Sequence, residues 1–153
     1  MRLILLAMPF LFILTSCSSA LKVHPVSSEY RIKSLKYFVQ NNYEVDQHGL
    51  GMIIAGELRN KGYDVSNGFK NQKPSDTNIL IVYDDQWQWD ISDYLLHMRI
   101  DLRDPQTNIL LDTGSSYQSS AARLDKRLII RNIISNMFID WTILSVLTNT
   151  NKG

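Results

Sequence analysis

Hydrophobic residues recur along the chain with two periods, which divide it into predicted strands and helices. Apolar residues at every second position indicate strands, and apolar residues three or four positions apart indicate helices. In chain order the predicted elements are a strand over 30–40, a helix from Asp46 to Lys61, a short strand over 63–66, strands over 77–91 and 94–104, a strand from Ile109, and a helix over 124–147. The order β-α-β-β-β-β-α predicts an α+β fold, a two-layer sandwich in which a mostly antiparallel sheet of four to five strands is covered by two helices.

Alternation is clearest in the strand predicted over 94–104, where one face is apolar and the other is polar. The apolar face, expected to pack on the helices, consists of Leu96, Met98, Ile100 and Leu102. The polar face, expected to meet solvent, consists of His97, Arg99, Asp101 and Arg103.

The last predicted helix carries an apolar stripe that is expected to cover the sheet. Its members are Leu124, Leu128, Ile130, Ile133, Ile134, Met137, Phe138, Trp141 and Leu144. Charged residues such as Arg127 and Arg131 are interspersed with the stripe, so the helix is amphipathic rather than a membrane span.

The amino terminus has a different pattern, a nearly continuous apolar run after one positive charge. Arg2 precedes the run Leu3–Leu14, which only Pro9 interrupts. A helix of this length spans about 18 Å, whereas the hydrocarbon core of a bilayer is about 30 Å thick. We therefore expect residues 1–16 to be a secretory signal peptide rather than a membrane anchor.

The apolar run ends at Leu14-Thr15-Ser16-Cys17, which resembles the lipobox of bacterial lipoproteins. The resemblance implies cleavage between Ser16 and Cys17, a diacylglyceryl group on the Cys17 sulfur and an acyl chain on the new amino group. Cys17 is the only cysteine, which excludes a disulfide scaffold and a Cys-x-x-Cys site. The alternatives are an ordinary signal peptide and a buried cysteine in an unprocessed chain.

The same resemblance implies where the mature chain is held and how it is divided. Because Ser18 rather than an aspartate follows the cysteine, the expected location is the periplasmic face of the outer membrane, with the inner membrane as the less favoured one. Residues 17–29 are expected to be a lipidated flexible tether, residues 30–147 a single domain and residues 148–153 a disordered tail.

Composition narrows the range of partners. The 153-residue chain has 16 basic and 15 acidic side chains, and a formal net charge of +1 argues against a nucleic-acid-binding face. We therefore expect the lipid bilayer to be contacted through acyl chains rather than through charge.

No pattern of catalytic or metal-binding residues emerges from the sequence. Several acidic residues and a histidine lie close together, but without the spacing of a calcium loop, and are expected to be solvated strand ends and turn caps: Asp84, Asp85, Asp90, Asp93 and His97. Ser115 and Ser116 follow Gly114 but lack the Gly-x-Ser-x-Gly context of a hydrolase. The chain is expected not to be an enzyme and to carry no cofactor besides its covalent lipid.

Trp87 and Trp89 share one face of a predicted strand. They are expected either to form an exposed stacking platform for a glycan, peptide or lipid, or to pack in the core beneath the last helix. A buried indole N–H would need a partner, either Asp85 or a backbone carbonyl. With His97 and Arg99 of the following strand, the two tryptophans form the candidate interaction face.

The segments DDQWQWDISDYLLHMRIDLRD (84–104) and LLDTGSSYQS (110–119) resemble a group of small bacterial lipoproteins. In that group a W-x-W-D segment enters a strand hairpin, and the domain is similar to the amino-terminal domain of TolB and its relatives. The resemblance implies the fold of residues 30–147 and supplies no catalytic residue.

Together these patterns predict a membrane-anchored lipoprotein of the bacterial cell envelope. Its folded body is expected to be a non-enzymatic protein-interaction module in the periplasm, with an envelope protein as its partner. Two alternatives stay open: a carrier of a small hydrophobic ligand or lipid, held between sheet and helix near the tryptophans, and an immunity-type lipoprotein that inhibits one enzyme.

Overall fold

Six strands and two helices make up the part of the chain that the structure describes. The structure is a computed structural model that describes residues 19–42, 46–120 and 123–139. In chain order the elements are β1 (Ala20–Val23), β2 (Lys36–Gln40), α1 (Leu50–Asn60), β3 (Asp64–Gly68), β4 (Ile79–Asp90), β5 (Ser92–Arg103), β6 (Leu110–Tyr117) and α2 (Lys126–Met137). The predicted signal peptide, the lipobox residues Ser16 and Cys17, and the predicted tail lie outside the described residues.

The strands form one mixed sheet in the order β1-β6-β5-β4-β2-β3. β1, β6, β5 and β4 pair antiparallel, whereas β2 pairs parallel with both β3 and β4. The α+β class and the two covering helices are confirmed. The expected sheet of four to five mostly antiparallel strands is wrong in its size and in its parallel part.

The parallel part of the sheet follows from the position of α1 between two short strands. A parallel pair needs a crossover connection, and α1 supplies it between β2 and β3. Ile54 and Leu58 of α1 are fully buried against the sheet, so burial of this helix face holds the crossover in place.

The additional strand, β1, lies inside the segment expected to be a flexible tether. Ala20 pairs with Tyr117 and Val23 with Gly114, so this edge strand extends the sheet beyond β6. The chain stays attached after β1, because Val26 is buried and its backbone N–H donates a 2.7 Å hydrogen bond to the carbonyl of Met137. Backbone pairing, which serine-rich composition does not reveal, therefore fixes residues 20–26 to the domain.

Both helices cover the same face of the sheet, and the core lies between them and the strands. Helix α2 buries five residues, Ile129, Ile130, Ile133, Ile134 and Met137. The predicted stripe is too long at its start, because Leu124 and Leu128 are 39% and 40% exposed. Its last predicted members, Trp141 and Leu144, lie outside the described residues. Within the described ranges, neither helix is long and apolar enough to cross a membrane.

A β-bulge changes the predicted alternation of β5. Gln86 pairs with His97, but the next residue, Trp87, pairs with Leu95, so Leu96 is the extra residue. Leu95 is consequently buried in the core at 2% exposure, in place of the predicted Leu96. Beyond the bulge, Met98, Ile100 and Leu102 face the helices as expected.

The opposite face of the sheet is less open than expected. Asp101 lies on this face but is buried, because its carboxylate accepts hydrogen bonds from Arg103 and Thr113, at 2.8 and 2.7 Å. Phe38 and Leu80, which fall outside the helix-side core, are also buried. The face therefore combines covered apolar residues with a buried polar cluster and is not uniformly solvated.

Candidate functional site

Two aromatic rings from distant parts of the chain stack at the hairpin end of the sheet. The ring centroids of His48 and Trp87 are 3.8 Å apart, and the ring planes are inclined by 18°. His48 comes from the loop before α1, and Trp87 comes from the outer half of β4. Both rings line two clefts, which have no other lining residue in common.

Capping of α1 fixes the loop that carries His48. Asp46 accepts hydrogen bonds from the backbone N–H groups of Leu50 and Gly51, at 3.0 and 2.9 Å. Gly49 directly precedes the helix with a φ of 65°, in the left-handed region that favours glycine. Asp46 thus supplies the predicted capping side chain, although Gly49 occupies the position next to the helix.

The other ring is oriented by a hydrogen bond from its own strand. The indole N–H of Trp87 donates a 2.8 Å hydrogen bond to the carboxylate of Asp85. Of the two partners that the sequence allowed, Asp85 and a backbone carbonyl, the structure therefore shows Asp85. Trp87 is half-buried against the core, and only one side of its ring is covered by His48.

The first cleft beside the stack has a volume of about 430 Å³ and mixed polar and apolar walls. It is lined by Asp46, Gln47, His48, Leu50, Tyr83, Asp85 and Trp87. Burial, reinforced by the negative charge of Asp46, raises the pKa of the Tyr83 hydroxyl to about 12. The cleft thus offers a ring edge, a hydroxyl and carboxylates to a small group.

The second cleft, of about 520 Å³, lies on the other side of the stack, between the hairpin and the segment leading into α2. Arg123 lines this cleft, and its guanidinium carbon is 4.9 Å from the ring centroid of Tyr94. The guanidinium group also donates hydrogen bonds to the backbone carbonyl of Asp90, at 2.9 Å, and to the carboxylate of Asp90, at 2.6 Å. Lys126 donates a 2.7 Å hydrogen bond to the carbonyl of His48. Both cations therefore tie the elements around the cleft together.

A buried glutamine supports the same region from behind. Gln118 is 1% exposed, and its side chain donates to the carbonyl of Leu95 at 2.7 Å and accepts from the N–H of Leu124 at 2.6 Å. It therefore joins β5 to the segment that leads into α2. Sequence reasoning did not identify His48, Arg123 or Gln118 as site residues, because their partners are distant in the chain and no local motif marks such pairs.

The tip of the β4–β5 hairpin, residues Trp89–Ser92, projects beyond the stack. Trp89 is 71% exposed and Ile91 is 88% exposed. Ile91 lies between the paired residues Asp90 and Ser92 with a φ of 66°, a conformation that costs a β-branched residue about 1–3 kcal/mol. The two tryptophans thus have different environments: Trp87 packs on the core, and Trp89 is exposed.

The four predicted interaction residues do not share one face. Side chains at every second position of a strand point to the same face, so Trp87 and Trp89 share the face of the core residue Tyr83. They therefore lie on the helix side of the sheet. His97 and Arg99 are sequence neighbours of the core residue Met98 in β5, so their side chains lie on the opposite face of the sheet, away from the helices. Arg99 is half-exposed there, 3.5 Å from the carboxylate of Asp101.

The charged groups around the stack are engaged in holding the structure together. Asp46 caps a helix, Asp85 binds an indole N–H, and Arg123 binds Asp90. Among the described residues, no three His, Cys, Asp or Glu side chains come together in an arrangement that could hold a metal ion.

Comparison with known proteins finds similarity in the fold alone. No protein family matches the sequence, and no curated protein is significantly similar to it. A PelC dodecamer from Paraburkholderia phytofirmans is similar in structure, with a TM-score of 0.55 and 12% identity over 78% of this chain and 98% of the PelC chain. A dodecamer of a point variant of the same protein gives a TM-score of 0.55 and 15% identity, covering 78% and 97%.

These values mean that nearly the whole PelC chain has a counterpart in this chain, at an identity that supports the fold and nothing more. The predicted similarity to the amino-terminal domain of TolB stays a prediction. What the comparisons add is therefore a complete domain of the same architecture.

Proposed function

We propose that this chain is a bacterial lipoprotein whose folded domain is a non-enzymatic interaction module of the cell envelope. Acyl chains on Cys17 would hold it in the bilayer, on the periplasmic face of the outer membrane, and the end of the domain around His48 and Trp87 would bind the partner. The observation that carries the proposal is this stack with its two flanking clefts. The charged groups around it form hydrogen bonds and ion pairs within the domain, so they fix the conformation of the proposed binding surface.

A cleft of this kind suits a protein partner that inserts one or two side chains. Binding energy at protein interfaces concentrates in a few anchors that fill desolvated pockets, and aromatic residues dominate such positions. Clefts of about 430 and 520 Å³ on either side of one aromatic pair offer two neighbouring pockets. The alternative, a carrier that holds a hydrophobic ligand between sheet and helix near the tryptophans, is less favoured because fully buried Ile81, Met98 and Ile130 fill the central part of that space.

The lipid anchor is tested by substitution of the lipobox cysteine. Cys17→Ala should abolish incorporation of labelled fatty acid and leave a precursor that keeps residues 1–16. Ser19→Ala, which leaves the lipobox intact, is the matched control and should be labelled and processed normally. Labelling of the Cys17→Ala protein would contradict the anchor.

The interaction surface is tested by site-specific photocross-linking in intact cells. A photoreactive residue at Gln47, which is exposed and lines the first cleft, should give a discrete adduct with one envelope protein. The same residue at Thr107, in the turn between β5 and β6 at the other end of the sheet, is the control. Identical adduct patterns from both positions would rule out a specific surface at the stack.

A second candidate for the partner is a further copy of this chain. The similar PelC structures are dodecamers, so a domain of this architecture assembles with its own copies in that protein. In the described part of this chain, β1 and β3 are the edges of the sheet and are available for contact with another copy. Cross-linked adducts at multiples of the chain's own mass would support self-association, and a monomer in mild detergent by light scattering would contradict it.

A further inference from the structure

The start of β1 and the tip of the hairpin lie at the same end of the sheet. Ala20 pairs with Tyr117, Tyr117 pairs with His97, and His97 pairs with Gln86, so these four residues form one row across the sheet. From this row, β4 runs outward to the hairpin tip, and β5 runs from the tip back to the row. Because β1 is antiparallel to β6, the chain enters β1 through Ser19 from that same outward side of the row.

The hairpin tip therefore extends at least as far outward from the row as the lipid-bearing residue can reach. Asp90 lies four residue steps beyond Gln86 along β4, which corresponds to about 13 Å at ~3.3 Å per residue. Cys17 lies three residue steps before Ala20, a distance of at most about 10 Å when the chain is extended. Acyl chains on Cys17 that enter a bilayer thus bring the tip to the level of that bilayer.

The exposed side chains of the tip suit the boundary between lipid headgroups and acyl chains. Trp89 is 71% exposed and Ile91 is 88% exposed, so little of either side chain is covered by the domain. Tryptophan is enriched at membrane–water interfaces because its ring is apolar and its indole N–H is polar. The left-handed φ of Ile91 places an apolar β-branched residue at a turn position where glycine would be unstrained.

The charges around the tip favour apolar contact over electrostatic attraction. The carboxylate of Asp90 is paired with Arg123 at 2.6 Å, which braces the tip against the segment before α2. The exposed carboxylate of Asp93 follows directly after the tip. The described charged groups at and beside the tip, Asp90, Asp93 and Arg123, form no basic patch that would attract anionic lipids.

From this geometry we infer that the hairpin tip inserts Trp89 and Ile91 into the headgroup region of the membrane that holds the Cys17 lipid. The tip would act as a second point of contact and fix the orientation of the domain. The clefts beside His48 and Trp87 would then lie close to the membrane surface. This inference rests on the lipid anchor proposed above.

The test places a single environment-sensitive fluorophore on the full-length, lipidated protein. The lipidated sulfur of Cys17 is a thioether, so Ile91→Cys provides one reactive thiol for the dye nitrobenzoxadiazole. Ser92→Cys labels the tip with Trp89 and Ile91 both retained, and Thr107→Cys at the opposite end of the sheet is the control. Each protein is reconstituted in phosphatidylcholine vesicles, with and without phosphatidylglycerol, and acylation is verified by mass spectrometry.

We expect the emission of labels at positions 91 and 92 to shift to the blue, rise severalfold and be quenched by lipids brominated near the headgroup. The label at position 107 should stay in water, and phosphatidylglycerol should make no difference. Water-like emission at 91 and 92 in acylated, vesicle-bound protein overturns the inference while leaving the anchor intact. Shielding of these labels only in whole envelopes would assign the tip to a protein partner and also overturn it. If mass spectrometry finds no acyl chains on the protein, both the proposed function and this inference are contradicted.

Discussion

The imidazole of His48 lies against the indole of Trp87 with a centroid separation of 3.8 Å, and this contact joins the loop before α1 to the outer half of β4. Trp87 also packs on the core and donates its N–H to Asp85. A single residue thus links the core to both candidate clefts. Its removal is expected to affect stability and partner binding together.

Trp87→Ala should lower the free energy of unfolding by about 2 kcal/mol, since a half-buried ring, its stacking partner and a hydrogen bond are all lost. Urea denaturation followed by far-ultraviolet circular dichroism measures this. Trp89→Ala, two residues away on the same face, is the control and should change stability by less than about 0.5 kcal/mol, because its side chain is exposed. Equal losses for both variants would contradict the assignment of Trp87 to the core.

Gly114 in β6 marks a close approach of the sheet to α2. A Cβ at this position would lie 2.7 Å from the Met137 sulfur and 3.0 Å from a methyl carbon of Ile133. Both of these side chains are fully buried, so Gly114→Ala should destabilise the domain by about 1–3 kcal/mol through overpacking.

The matched control for this substitution is Gly56→Ala in α1. No atom lies within 4 Å of the Cβ that it would add. Alanine is favoured over glycine inside a helix by about 0.5–1 kcal/mol, so this variant should be more stable than the parent. Thermal unfolding of the two variants side by side should therefore give melting temperatures on opposite sides of the parent's, and a stabilised Gly114→Ala would refute the close packing.

Arg123 is expected to control the mobility of the hairpin. Arg123→Ala removes the contacts with Asp90 and with the ring of Tyr94, so backbone amides of residues 87–95 should exchange with deuterium severalfold faster. Arg127→Ala, on the first turn of α2, is the control and should leave hairpin exchange unchanged. Unchanged exchange in both variants would show that the hairpin is held without Arg123.

Tyr83 is expected to make the domain sensitive to alkali. Burial raises the pKa of its hydroxyl to about 12, whereas an unfolded tyrosine titrates near a pKa of about 10. The folded state thus disfavours the charged form, so stability is fully present below about pH 10 and is lost as pH rises toward 12.

The loss over this interval should be roughly 2 kcal/mol for Tyr83. Tyr83→Phe should therefore flatten the alkaline part of the curve of unfolding free energy against pH. Comparison with the parent at pH 7 removes any cost of the substitution that does not depend on pH. A Tyr83→Phe curve parallel to that of the parent through the alkaline range would show that the ionisation of Tyr83 contributes nothing.

The elements that could be predicted are those defined by residues close in sequence. The alternation in β4 and β5 and the helical spacing of Ile130, Ile133 and Ile134 arise from side chains that share one local backbone geometry. The same is true of the carboxylate of Asp46, whose capping partners are four and five residues further along the chain. Such features depend on neighbouring residues and are largely independent of the rest of the fold.

The features that could not be predicted depend on which surfaces meet when the chain folds back. Edge strand β1 forms because β6 offers it a row of backbone partners, and the parallel pairing of β2 with β3 and β4 depends on where α1 packs. The bulge at Leu96, the burial of Asp101 and the stacking of His48 on Trp87 likewise depend on partners far along the chain. Long-range contacts depend on the packing energy of the whole domain, and this energy cannot be read from local periodicity.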